Sequence, residues 1–208
     1  MRNASVPVIM SKMLSFFWLA VLVEGGLAVV AVAVDALFRL GLDFRQIIWC
    51  DAETIGHIIL GLFPLIAGYF VLLTLPFESL RRIDCIVCEF YRLYLKGMSL
   101  WQLAVIALLA GIGEEMFFRG LIQFGLSNVL ELWQAVLIAS LIFALAHAVT
   151  PAYFILTFFV SIYLGVLFIQ TGNLFVPIAI HALYDFFVFI VLRYRFKEVD
   201  ANVDANPE

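Results

Sequence analysis

Residues 174–192 read LFVPIAIHALYDFFVFIVL, an apolar stretch in which His181 and Asp185 carry the only imidazole and carboxyl groups. A helix of about 20 mostly apolar residues is long enough to cross the hydrocarbon core of a bilayer. The stretch therefore predicts a transmembrane helix. An ionisable group at the centre of a membrane costs about 3 kcal/mol or more, so His181 and Asp185 are expected to have a function.

Five other stretches have the same character, and with this one they predict six transmembrane spans. The third starts near Ser99 and runs through Gly113, and the sequence leaves open whether it continues to Gly125. The others are about Met13–Val34, Ile55–Leu75, Leu130–Ala148, Ala152–Gln170 and Leu174–Leu192. The sequence thus predicts an all-α, polytopic membrane helical bundle of about six transmembrane helices.

The composition supports this fold class. Hydrophobic residues make up 65% of the 208 residues and charged residues 13%, against about 45–50% and about 25% in soluble domains. These values exclude a soluble domain, and a net charge of −4 excludes a nucleic-acid binder, which needs a basic surface. The composition therefore predicts that the chain is embedded in a lipid bilayer.

The chain divides into three predicted parts. Residues 1–98 hold two N-terminal spans and an interfacial amphipathic segment, Pro76–Gly97; residues 99–195 form a helical core of four spans; residues 196–208 form a polar tail. With six spans, nine of the twelve Lys and Arg residues fall on the side of both termini. Because basic residues favour the cytoplasmic side, we predict a multi-pass protein of the bacterial inner membrane with both termini in the cytoplasm.

Eight ionisable residues lie in the predicted spans: Glu24, His57, Glu114, Glu115, Arg119, His147, His181 and Asp185. Six of them are in the second half of the chain and form three local patterns. Single polar groups in spans often make helix–helix hydrogen bonds. Three patterns on three separate spans favour a functional site instead. Glu24, beside two glycines, and His57, near a span end, are weaker candidates.

The first pattern is Glu114-Glu115-x-x-x-Arg119. Glu115 and Arg119 are four residues apart, so they share a helix face and can form a pair, which lowers the cost of burying both. Glu114 points about 100° away and has no partner on its own helix. The spacing therefore predicts a structural pair beside a carboxylate that is free to act as a general base.

The second and third patterns supply histidines. Phe143 precedes His147 by four residues, and His181 precedes Asp185 by the same spacing. Because residues four apart share a helix face, Asp185 can orient the His181 imidazole or bind the same ligand. The spans that carry these patterns follow one another in the chain.

Taken in order, the three patterns resemble the CPBP family of intramembrane proteases, which includes the Ras-converting CAAX endopeptidases and bacteriocin-processing or self-immunity proteins. The resemblance covers about residues 100–194. It implies that Glu114 is the catalytic glutamate, that His147 acts with it on water, and that Glu115, Arg119 and Phe143 support them. It also implies that His181 and the residue at Asp185 stabilise an oxyanion. In the CAAX endopeptidases that last residue is typically Asn, whereas this chain has Asp185.

Four alternatives remain open on the residues alone. A glutamate-type endopeptidase needs no cofactor and acts on a membrane-associated protein or peptide. A zinc-dependent protease would use His147, His181 and either Asp185 or Glu114 as ligands, since two histidines and a carboxylate can hold zinc. A membrane immunity or scaffold protein, or a proton-relaying transporter, would use the same polar groups without hydrolysis.

Overall fold

The computed structural model describes residues 6–42, 44 and 47–205, and side chains for 14–42, 44 and 47–197; this part is helical, with no strand. Its α-helices are α1 (Val6–Phe38), α2 (Ala52–Thr74), α3 (Glu78–Phe90), α4 (Leu100–Glu115), α5 (Phe124–Ser127), α6 (Leu132–Ala146), α7 (Pro151–Thr171) and α8 (Phe175–Ala205). Two π-helical segments occur: Tyr91–Leu95 extends α3, and Met116–Gln123 joins α4 to α5.

Among the described residues, four helices are long and apolar enough to cross a membrane: Leu14–Phe38, Ala52–Thr74, Pro151–Thr171 and Phe175–Lys197. The prediction of an all-helical, multi-spanning chain is confirmed. By length and apolar composition, however, four of the described helices qualify as spans, where the sequence predicted six. Two predicted spans differ. The third is divided by its π-helical segment, and the fourth is only the 15 residues of α6.

The shortness of α6 affects the position of His147. A 15-residue helix is about 22 Å long, less than the about 30 Å of a hydrocarbon core. The helix ends at Ala146, His147 caps it, and α7 starts at Pro151 with Thr150 as its N-cap. A helix of this length can place its C-terminal cap inside a bilayer rather than at its surface.

The segment between α2 and α4 forms the predicted amphipathic helix. Arg81 and Arg82 are exposed, whereas Ile83 and Tyr91 are buried. Asp84 accepts two hydrogen bonds from Arg195 of α8, at 2.7 and 2.9 Å. This ion pair fixes the segment against the last helix.

Helix α8 does not end at the start of the predicted polar tail, residues 196–208. Helix α8 continues through Ala205, and residues 206–208 lie outside the described residues. Arg2 and Arg45, which the topology prediction also uses, lie outside them too, as does the side chain of Lys12. The predicted orientation of the chain therefore stays a prediction.

Two glycines of α4 let other helices approach closely on either side. A Cβ built on Gly111 would lie 2.7 Å from the Ile178 carbonyl oxygen of α8, and one on Gly113 would collide with the Glu24 carbonyl oxygen of α1. Small residues permit such close crossings in membrane proteins. They hold the C-terminal end of α4, with Glu114, between α1 and α8.

The start of α8 is fixed by Asn173, which is buried. Its amide donates to the Trp49 carbonyl oxygen at 2.9 Å and to Thr54 Oγ1 at 3.0 Å, and its side-chain oxygen accepts from the Phe175 backbone at 2.9 Å. These bonds tie the first turn of α8 to the start of α2. The position of His181 along α8 follows from this anchor.

We predict that Gly113→Ala lowers the melting temperature in detergent, because the added Cβ meets backbone atoms of Glu24 that cannot rotate away. Overpacking of this kind costs about 1–3 kcal/mol. Gly125→Ala is the matched control, since its Cβ would meet nothing within 4 Å and alanine is the better helix former. Equal melting temperatures for Gly113→Ala and the parent would contradict the close crossing.

Candidate active site

The site is built around a buried guanidinium group. Arg119 and Glu115 are 1% and 0% exposed, and Arg119 Nη1 lies 3.0 Å from Glu115 Oε1. Nη2 of Arg119 donates to the carbonyl oxygen and the Oγ of Ser161 at 3.0 and 2.9 Å. The predicted i,i+4 pair is present, and it also attaches α7 to the end of α4.

The ring of Phe143 on α6 lies between this pair and the histidines. Arg119 is 4.9 Å above its centroid, a cation–π contact. The His147 ring stacks on the Phe143 ring, with centroids 4.3 Å apart and an interplanar angle of 19°. Phe143 thus contacts both Arg119 and His147, so the positions of these two side chains are linked through its ring.

The His181 ring is oriented by Glu115. His181 Nδ1 lies 2.8 Å from Glu115 Oε1. Because Glu115 is also paired with Arg119, it is an ionised acceptor, and Nδ1 must carry the proton. The Nε2 atom of His181 then points to the other side, 3.9 Å from Glu114 Oε2 and 3.5 Å from Asp185 Oδ2.

The His147 ring is oriented in the same way by a backbone group. Its Nδ1 lies 2.9 Å from the Phe143 carbonyl oxygen. A carbonyl oxygen only accepts, so Nδ1 is again the protonated nitrogen. Nε2 of His147 lies 3.6 Å from Glu114 Oε1.

Glu114 therefore lies between two imidazoles, each of which directs its Nε2 atom toward the Glu114 carboxylate. Its Oε2 is buried and makes no hydrogen bond. The side chains of Glu114 and His181 are 11% and 12% exposed, whereas those of His147 and Asp185 are 29% and 30% exposed. The cluster is thus enclosed at Glu114 and open toward His147 and Asp185, and the gaps of 3.5–3.9 Å leave room for rearrangement around a bound water.

Asp185 differs from its predicted role as the residue that orients His181. The Nδ1 atom, which fixes the ring, is bound by Glu115, and Asp185 lies on the Nε2 side instead. The i,i+4 spacing correctly indicated that the two side chains meet. It could not show that the Glu115 carboxylate, from α4, binds the Nδ1 atom of the ring.

Two contributors were not singled out as site residues: Ser161 supports Arg119, and Tyr153 of α7 is within electrostatic range of Asp185 and Glu114. Glu24 of α1, one of the weaker candidates, is within range of Glu114, His181, His147 and Asp185. A lone serine or tyrosine in an apolar span gives no sequence signal. His57 lies in α2, near Asp51, the N-cap of that helix.

The fit of these residues to a metal is poor in their present arrangement. Within the described ranges, no group of three or more His, Cys, Asp or Glu side chains is placed so that it could hold a metal ion. Glu114, the carboxylate between the two histidines, is 3.6 Å or more from their Nε2 atoms. The residues in this arrangement therefore do not form a zinc site.

Comparison with known proteins gives two matches, each to slightly less than half of the chain. Residues 96–187 match the model of a family described as type II CAAX prenyl endopeptidase, Rce1-like. An uncharacterized protein of Bacillus subtilis (strain 168), YpbD, is 35% identical over 104 residues, 49% of this chain and 50% of YpbD. The chain thus spans about half the length of this curated relative. No solved structure matches the chain.

The buried pair gives a prediction about stability. Arg119→Ala leaves Glu115 as an uncompensated buried charge, which costs about 3–5 kcal/mol, so yield and melting temperature in detergent should both fall. Ser161→Ala removes one hydrogen bond to the guanidinium and should cost about 1–2 kcal/mol. An Arg119→Ala protein as stable as Ser161→Ala would show that the ion pair does not hold α4 and α7 together.

Proposed function

Because residues 96–187 belong to the Rce1-like family of type II CAAX prenyl endopeptidases, we propose that this integral, multi-pass membrane protein is an intramembrane endopeptidase of the glutamate type. This membership confirms the resemblance inferred from the three motifs. The observation that supports the proposal most is the arrangement around Glu114. Two histidines, each fixed through Nδ1, direct their Nε2 atoms at its two carboxylate oxygens.

In the first step, Glu114 takes a proton from a water molecule, and the hydroxide oxygen forms a bond to the carbonyl carbon of the substrate peptide. His147 assists, because its unprotonated Nε2 can accept the second hydrogen of that water. The chain offers no Ser or Cys within the three motifs as a nucleophile. Water is therefore the attacking group.

In the second step, the tetrahedral oxyanion needs a hydrogen-bond donor. His181 can donate from Nε2 only as an imidazolium, since Nδ1–H is already bound to Glu115. Glu115 and Asp185 lie beside the ring and offset its positive charge. Asp185, as a carboxylate, acts on the imidazolium and does not itself donate to the oxyanion. When the C–N bond breaks, the amine takes the proton that Glu114 holds.

The proposed substrate is a membrane-associated protein or peptide. The polar groups lie on helices of the apolar core, so the scissile bond must enter the membrane or its edge. We further propose that the chain spans a bacterial inner membrane six times with both termini in the cytoplasm. In this topology the divided segment Leu100–Ser127 and the short helix α6 are the two additional spans.

The central prediction concerns Glu114→Gln, which keeps the side-chain volume and removes the base. Hydrolysis of membrane-anchored peptides by protein reconstituted in liposomes should fall by about 100-fold or more, the usual scale for a lost general base. The variant should melt at the parent's temperature or slightly above it, because a buried carboxylate becomes a neutral amide. New N-termini, identified by mass spectrometry, are the readout.

Glu53→Gln is the matched control, since Glu53 is an exposed carboxylate in the first turn of α2. It should cleave as the parent does. Full activity of Glu114→Gln would overturn the assignment of the base. Loss of activity in a metal chelator would favour the zinc alternative, and a parent protein that cleaves no peptide would favour the immunity or scaffold alternative.

A further inference from the structure

Helix α6 is shorter than α7, the helix that packs beside it. The start of α6 and the end of α7 lie level with each other, because Ala135 lines one cavity together with Phe168 and Gly172. From that level α6 runs for 15 residues and α7 for 21, which correspond to lengths of about 22 and 31 Å. The C-terminal end of α6 therefore lies about 9 Å short of the level at which α7 begins.

The turn formed by residues 147–150 bridges this difference, and it lies on the surface of the protein. Ala148 is exposed, and Val149 is 64% exposed. Within the described residues, the backbone carbonyl oxygens of Ala146 and Ala148 accept no hydrogen bond from another backbone group. An irregular, unpaired backbone of this kind does not face the hydrocarbon of a membrane. The turn therefore requires contact with water.

The outer face of α6, in contrast, is apolar along its whole length. A stripe of large apolar side chains recurs every four residues and is 38–62% exposed: Trp133, Leu137, Leu141 and Leu145. In the proposed six-span topology this stripe faces lipid. It can cover only about 22 Å of hydrocarbon, whereas an undisturbed core is about 30 Å thick. A flat bilayer would therefore place the turn in hydrocarbon.

We propose that the bilayer is indented beside α6, so that water and lipid headgroups reach the exposed turn 147–150. Membranes accommodate short spans by local thinning. The turn adjoins the open side of the polar cluster, where the side chains of His147 and Asp185 are 29% and 30% exposed. The indentation depends on α6 and lipid alone. That it supplies the water for hydrolysis rests on the proposed function.

The first experiment maps water along α6 without any substrate. Val149→Cys and Leu141→Cys are reconstituted in liposomes of dioleoyl phosphatidylcholine and treated with N-ethylmaleimide, which reacts with a thiol only where water lets it ionise. Mass spectrometry gives the labelling rate of each cysteine, and the native Cys50, exposed just before α2, is the internal reference. Val149→Cys should label within about threefold of Cys50, and Leu141→Cys at least about 100-fold more slowly.

Two results would overturn the proposal. Slow labelling of Val149→Cys would show that the turn lies in hydrocarbon, and rapid labelling of Leu141→Cys would show that α6 does not face lipid, which would also contradict the six-span topology. Ala148→Cys and Leu137→Cys form a second pair at exposed positions, so the comparison does not depend on the folding of one variant.

The second experiment changes the thickness of the bilayer. Labelling of Val149→Cys is compared in dimyristoleoyl, dioleoyl and dierucoyl phosphatidylcholine, whose hydrocarbon cores increase in that order. The rate relative to Cys50 should fall by about 10-fold across the series, because a deeper indentation costs more free energy with each added ångström. Equal rates in all three lipids would show that the turn lies at an ordinary membrane surface and would contradict the indentation.

The cleavage assay in the same three lipids tests the link to hydrolysis. If the indentation supplies water to the site, kcat of the parent protein should fall in parallel with the labelling rate. A constant kcat alongside slowed labelling would overturn this link and leave the indentation itself supported. A protein that cleaves nothing in any of the lipids would contradict the proposed function, whereas the labelling rates would still decide on the indentation.

Discussion

The structure depends on one buried positive charge. The Arg119 guanidinium is almost fully enclosed, and a charge in such a place is tolerated only when it is paired and hydrogen-bonded. Glu115 supplies the counter-charge from the same helical stretch, and Ser161 supplies two acceptors from α7. The Glu115 oxygen that binds Arg119 also binds His181. One cation thus holds α4, α7 and α8 in the arrangement that the site requires.

The same constraint separates two adjacent glutamates into different roles. Oε1 of Glu115 accepts from both Arg119 and His181, so Glu115 cannot take a proton at that oxygen without breaking these contacts. Glu114, about 100° further around the helix, faces two Nε2 atoms at 3.6 and 3.9 Å. In the proposed mechanism, the first carboxylate is therefore a structural anion and the second is the base.

Sequence spacing predicted the local part of this site. The pairs Glu115–Arg119 and His181–Asp185 each follow from a four-residue spacing on a helix. The bonds between distant residues could not be predicted. Glu115 and His181 are 66 positions apart, and Arg119 and Ser161 are 42 apart. The contact of the Glu24 carbonyl oxygen with Gly113 of α4 is another that a single sequence does not reveal.

The span count was also less predictable than the fold class. Apolar composition decides that the helices are membrane helices, but it does not show that a π-helical segment interrupts one stretch at Met116 or that α6 ends at Ala146. Both irregularities lie beside polar residues of the site. Glu114 lies in the last turn of α4, just before the π-helical segment that contains Arg119, and His147 caps the C-terminal end of α6.

The most direct test of this account is the protonation pattern of the histidines, measured by nitrogen-15 NMR on protein labelled only at its three histidines. The account predicts that Nδ1 of both His147 and His181 carries a proton at every pH at which the protein is folded, and that Glu115→Gln perturbs the Nδ1 signal of His181. A neutral His181 with its proton on Nε2 and a bare Nδ1 would contradict it, because Glu115 would then not hold the ring.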